Sequence, residues 1–467
     1  MKNLNLSLYA FHLCQSLDDA PDTHSKDAGL LWDSLRGLAA KIPFPELKKI
    51  TEPTEANPET SLDFQAIEIN HISLTGNLST FKIHDTYSVD LTLSFQDKQA
   101  HFFPGNVVIF QPQALIDVTA NLGKVLWLSG ESEDVNELQL TRATQWAEQL
   151  CQQATYIEED HLFNSPLFIF AADSVTILIS LAEPNAIDLE RAQENYYNLR
   201  NLFWTYQKIV VVEKLAKEGY QGARKLYSEL EAQVQEFNQV FLQTPEERLK
   251  KLDELLQTIP QRLLDYNCKL RDLKANYTTI DVNWKNFKVS LSHILDESAG
   301  DKLSYWSDFA TKTAPLYLTQ IKTYIDYLEP GQVLFSDLIN SIRATAEIEQ
   351  VKSDRQRQQA EKDYYQQQQD DNQKLQNRIQ AVGVGIAAGA IFASTAGSIN
   401  EPWLFPNGQK MEVPFLPPHP FLLGLLGSII CSVGAWWLAE TFINPGKNKS
   451  DKSSNQLAKN QQNPKSN

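Results

Sequence analysis

Residues 244–294 read TPEERLKKLDELLQTIPQRLLDYNCKLRDLKANYTTIDVNWKNFKVSLSHI, and this stretch decides how the chain is built. Thr244 is suited to cap a helix, Pro245 to open it, and Glu247 to complete a capping box. From there Leu249, Leu252, Leu256, Ile259, Leu263, Tyr266, Leu270, Leu273, Tyr277, Ile280, Trp284, Phe287, Leu291 and Ile294 follow alternating steps of three and four. A period of 3.5 residues is that of a left-handed coiled-coil seam. Aromatic residues at the inner positions favour a bundle broader than a two-stranded zipper, and Pro260 is a candidate kink.

Toward the N-terminus, residues 187–215 and 224–241 have helical spacing, and Gly219 with Gly222 predicts a break between them. Toward the C-terminus, residues 302–327 read as a further helix closed by Glu329-Pro330-Gly331. That turn is expected to open a last helix from 332 to about 397, of which 352–378 is almost wholly Gln, Asp, Lys and Arg. Such a stretch reads as a solvated stem or as the lining of a water-filled passage.

Two apolar segments follow. IQAVGVGIAAGAIFASTAGS, 379–398, holds six Leu, Ile, Val or Phe residues, and FLLGLLGSIICSVGAWWLAETFI, 421–443, holds eleven. A span of about 20 apolar residues crosses a bilayer core, so the expectation is a two-helix transmembrane hairpin with an outer loop at 399–420. Gly383, Gly385 and Gly389 offer a face on which another helix can approach closely, in a packing seam or a pore. Trp403, Trp436 and Trp437 suit the membrane interface. Glu440 is the one ionisable side chain in either segment and therefore a site candidate, although it lies near a segment end, within reach of headgroups. Lysines at 447, 449, 452, 459 and 465 and Lys362, Lys374 and Arg378 flank the segments, against Lys410 in the loop. This bias places both termini in the cytoplasm. The tail 444–467, rich in Asn, Lys and Ser, reads as disordered.

Residues 1–183 read as a mixed domain, with strands at 4–13, 64–74, 87–95, 107–110, 125–128, 166–171 and 175–181. Helices are expected at 27–40, 112–122 and 142–153, giving a sheet covered on one face. The fold class is thus an α+β cytoplasmic domain (1–183), a helical coiled-coil stalk (184–331), a polar stem helix (332–378), a transmembrane hairpin (379–443) and a tail.

Of the formal charge of −16, residues 1–183 carry −15, from 25 acidic and 10 basic side chains. An acidic domain argues against nucleic acid, whose binding rests on phosphate neutralisation. The four cysteines, Cys14, Cys151, Cys268 and Cys431, are scattered, so neither a zinc spacing nor a disulfide framework is apparent. His12 and Cys14 share a strand face, as two metal ligands or as a satisfied core pair. In KIHDTYSVD, His84, Asp85 and Asp90 place carboxylates near an imidazole beside a turn. No nucleotide, hydrolase or metalloprotease motif occurs, and neither a cofactor nor an enzymatic activity is implied.

This order of parts resembles the CorA-type divalent-cation channels at the level of architecture. The family's Gly-Met-Asn sequence after the first span is replaced by Ala396-Gly397-Ser398-Ile399-Asn400-Glu401, so no selectivity residue carries over. The leading expectation is a membrane-anchored homo-oligomeric scaffold or sensor, with the lipid bilayer and a cytoplasmic protein as partners. A CorA-like ion channel and a membrane-surface enzyme are the alternatives.

Overall fold

The computed structural model describes residues 1–15, 24–69, 71–132, 139–173, 175–182, 188–298, 300–396, 406–408 and 420–443. The chain forms two compact units, Met1–Ala346 and Glu347–Asn467.

In the first unit an eight-stranded sheet is built from β1 (Lys2–Leu13), β2 (Glu59–Ile69), β3 (Ile72–Ile83), β4 (Thr86–Phe95), β5 (Gly123–Glu131), β6 (Thr155–Leu162), β7 (Ser165–Ala172) and β8 (Val175–Ala182), in the order β2-β3-β4-β1-β5-β8-β7-β6. β5 and β8 run parallel, and the other neighbours run antiparallel. Helices cover both faces rather than the one expected. Leu4, Leu6, Leu8 and Ala10 of β1 pack under α1 (Leu30–Leu38), α2 (Pro112–Ile116) and α3 (Gln139–Leu150). Tyr9 and Phe11, on the opposite face, pack with the long helices. The physical reason lies in strands such as β1 and β8, which are apolar on both sides, as strands buried between two layers must be.

After α4 (Asp188–Glu194), α5 (Tyr196–Val240) and α6 (Pro245–Glu297) form a helical hairpin. Thirteen of the fourteen seam residues belong to or pack against one apolar core, and Leu249 stands outside it. The capping box at Thr244 and Glu247 is formed, and Pro260 lies inside an unbroken helix. α5 runs through Gly219 and Gly222 without the predicted break. Both glycines face α6: a Cβ on Gly219 would lie 3.8 Å from the Leu273 side chain, and one on Gly222 3.8 Å from that of Lys269.

α7 (Ser304–Asp308) and one π-helical turn, Phe309–Thr313, lead into α8 (Ala314–Ala396). The expected turn at Glu329-Pro330-Gly331 is instead helix, with Pro330 inside α8. Up to Ala346, α8 completes a three-helix arm. Trp284 donates its indole N–H to the Ala310 carbonyl at 2.7 Å, and Phe335 meets Tyr227 and Tyr266 edge-on. This core is continuous from Tyr9 on the sheet to Ile342 on α8.

The second unit holds the rest of α8 and α9 (Pro420–Ile443). Here the fold class and the localisation are corrected: among the described residues no helix is long and apolar enough to cross a membrane. The expected transmembrane hairpin and the two-span, N-in and C-in placement are therefore not supported. In the first segment the large apolar residues are diluted by glycine and alanine. In the second they are interrupted by Gly424, Gly427, Ser428, Ser432 and Gly434. Of these, Gly427, Ser428 and Ser432 meet α8, whereas Gly434 faces open space. Ser428 Oγ donates to the Gly389 carbonyl at 2.9 Å, and a Cβ on Gly385 would lie 3.0 Å from the Ser432 carbonyl. Gly383 faces open space. Glu440 falls in α9 but its side chain is outside the described residues, as are Trp403, nearly all of the expected outer loop and the tail 444–467.

Candidate functional site

The densest set of buried polar groups lies where β3 and β4 meet α5. In β4, Tyr87, Val89, Leu91 and Leu93 serve the core beneath the short helices. The intervening side chains Ser88 and Asp90 are thereby directed to the opposite face, toward α5, and both are buried. Asp90 lies opposite Tyr9 of β1 and Ser79 of β3 in the sheet register.

On α5, Tyr196, Arg200, Trp204 and Lys208 recur every four residues and so form one stripe. The Tyr196 hydroxyl donates to Asp90 Oδ2, and Ser88 Oγ donates to Oδ1 at 3.4 Å. The Arg200 guanidinium lies over the Phe81 ring, 4.1 Å from its centroid, and 5.0 Å from that of Tyr197. Its Nη2 donates to Asn201 Oδ1 at 3.1 Å, while Nε and Nη1 are buried without a hydrogen-bond partner. Trp204 stacks on His84, and Lys208 pairs with Asp85 at 2.5 Å.

Burial pushes the Asp90 carboxyl up to about 7, against the opposing pull of the Tyr196 hydroxyl and the Arg200 charge. Burial also drives the Tyr9 and Tyr196 phenols upward, with the Asp90 charge acting in the same direction, so both hydroxyls stay protonated. Asp85 and His84 form the two-residue turn between β3 and β4, and His84 has a φ of 54°. Asp85 thus ties the turn to α5 while its carbonyl accepts the Cys14 N–H at 2.8 Å.

Of the residues singled out from sequence, His84, Asp85 and Asp90 all meet α5, but at three different partners rather than around one imidazole. His12 and Cys14 are core residues. The His12 Nδ1 accepts the Asn121 N–H at 3.3 Å, and Nε2 lies 2.9 Å from the Asp27 carbonyl. Burial lowers the His12 pKa and pushes the Cys14 thiol up to about 11. Among the described residues no group of three or more His, Cys, Asp or Glu side chains is arranged to hold a metal. The Tyr196, Arg200, Trp204 and Lys208 stripe was missed in the sequence, where the apolar positions of α5 drew the reading. Its signal is the four-residue spacing itself.

Clefts among the described residues lie elsewhere. One of about 890 Å³ is lined by Gln111, Gln113, Glu148, Cys151 and Asp173, and one of about 690 Å³ lies between α5 and α6 near Gln233 and Arg262. Comparison with protein-family models and with curated proteins finds no match.

Proposed function

We propose that the chain is an assembly and interaction protein whose helical arm associates with a second copy of itself. The observation supporting this reading is the contrast between the arm's packed interior and its apolar surface. One core fills the space between α5, α6 and α8 up to Ile342, yet Leu264, Val282 and Val289 on α6 and Leu316 and Tyr327 on α8 remain exposed. At the tip, Phe241 and Leu242 stand out from the α5-α6 connection, Leu242 with 87% of its surface open. Apolar surface of this kind is stabilised by burial at about 25 cal/mol per Å², and a second copy supplies a partner at every concentration at which the protein exists.

Sedimentation and light scattering over a hundredfold concentration range test the reading. A concentration-dependent dimer or larger assembly is expected, with Leu242→Lys weakening it at no cost to folding. A species that remains monomeric throughout rejects self-association.

A further inference from the structure

We propose that Asp90 is a proton-controlled clamp between the sheet and α5: neutral, it is held by Tyr196 alone on that helix, and ionised, it also captures the idle donors of Arg200. The inference is independent of self-association, since every group it uses lies within one chain.

The geometry has three parts. First, Asp90 is buried between β4 and α5, and each of its oxygens already meets a hydroxyl, that of Tyr196 or that of Ser88. Second, Arg200 stands one turn along the same helix with Nε and Nη1 buried and unpartnered. A buried cation with idle donors is costly and takes an acceptor when one is offered. Third, the neighbouring groups leave Asp90 as the one that changes charge. Tyr9 from β1 and Tyr196 from α5 are phenols whose ionisation is opposed by burial and by Asp90. Glu59 from β2 repels a charge on Asp90, and it accepts the Tyr197 hydroxyl at 3.3 Å. Ser88 and Phe81 carry no charge.

In the arrangement observed, Tyr196 and Ser88 donate to Asp90 while Arg200 is turned to aromatic faces, so the carboxyl and the guanidinium stand close without being paired. In the ionisation step the Asp90 O–H bond breaks, the proton leaves to solvent, and the carboxylate gains Coulomb attraction for Arg200. Burial holds this step near neutral pH, in the range that cells vary. A joint that adds or drops a contact to α5 there makes the arm responsive to protons.

The test is the side-chain Nε–H resonance of Arg200 in protein labelled with nitrogen-15 arginine, assigned through Arg200→Lys and followed from pH 5 to 9. The expected result is a shift with a midpoint near 7, abolished in Asp90→Asn. A resonance that does not move, or that moves equally in Asp90→Asn, overturns the proposal. Should Asp90→Asn not fold, Tyr196→Phe retains the carboxyl and removes a donor that favours its charged form. The midpoint is then expected to rise, and an unchanged midpoint overturns the proposal.

Discussion

Tyr220 of α5 and Tyr324 of α8 stack with centroids 3.8 Å apart and planes 10° from parallel. The contact joins the first and third helices of the arm directly, beside the larger aromatic group of Tyr227, Tyr266 and Phe335. Aromatic pairs contribute about 0.5–1.5 kcal/mol beyond the area they bury. A double-mutant cycle with Tyr220→Ala and Tyr324→Ala is expected to show a coupling of that size in denaturant unfolding. Additive single effects would mean that the rings merely lie side by side.

Gly331 is required by the same aromatic group. A Cβ there would come within 2.8 Å of both the Tyr227 ring and the Tyr266 hydroxyl, which itself donates to the Leu328 carbonyl. Pro330 is tolerated one residue earlier in a helix whose flank is thus held from outside. Gly331→Val is expected to cost about 1–3 kcal/mol through overpacking, measured by the urea midpoint. Gly29→Ala serves as the control, because nothing lies within 4 Å of its Cβ position and its φ of −71° suits any residue.

Leu273 and Ile280 are fully buried in α6. Replacing each by Asp places an unpaired carboxylate in the arm's core, at a cost of several kcal/mol apiece, and loss of the cooperative thermal transition is expected. Thr278→Asp, on the exposed side of the same turn, is expected to be nearly neutral. Lys274→Asp has a small cost, since Lys274 pairs with Glu329 at 2.8 Å in an exposed bridge that solvent screens. Circular dichroism melts of the four variants distinguish a packed seam from a tolerant surface.

The seam was legible because its fourteen positions repeat without a miss, and β1, β4, β5, β7 and β8 because their apolar residues alternate or run together. Other elements were hidden for identifiable reasons. β6, TYIEEDHL, is a polar edge strand whose pattern resembles a loop. Val107 to Phe110, an apolar run, was expected to be a strand and is part of a 3-10 helix that begins at Pro104. Short apolar runs do not distinguish the two. Residues 64–74 were read as one strand and straddle the β2-β3 hairpin. The glycines of α5 and Pro330 were read as breaks, because local propensity carries no information about a partner helix. The Asp90 site was half visible. KIHDTYSVD marked the hairpin, but Tyr196 and Arg200 arrive more than 100 residues later, and only the fold brings them to the carboxyl. The C-terminal segments were read as spans from their Leu, Ile, Val and Phe residues, whereas Gly385, Gly389, Ser428 and Ser432 between them carry the contacts of α8 with α9.

The pH dependence of stability is expected to have two limbs, set by Asp90 and His12. The Asp90 carboxyl is raised from 3.8 to about 7 in the folded state, with burial the main cause. The folded protein therefore holds this proton more tightly than the unfolded chain. Stability from this group is complete below about pH 4, declines as pH rises toward 7, and changes no further above it. His12 acts in the opposite sense. Its pKa is lowered from 6.5 by burial, against the Asp27 carbonyl, so the folded state favours the neutral ring and stability is lost as pH falls below 6.5. Urea unfolding at intervals from pH 4 to 9 is expected to show Asp90→Asn gaining on the wild type by a few kcal/mol between pH 4 and 8, at about 1.4 kcal/mol per unit of pKa shift. His12→Gln is expected to flatten the acid limb while losing some stability at every pH, because its ring nitrogens join Asn121 to Asp27. An Asp90→Asn curve parallel to the wild type would mean that Asp90 ionises in the folded protein as it does in water, and that the contacts of Tyr196 and Arg200 compensate its burial completely.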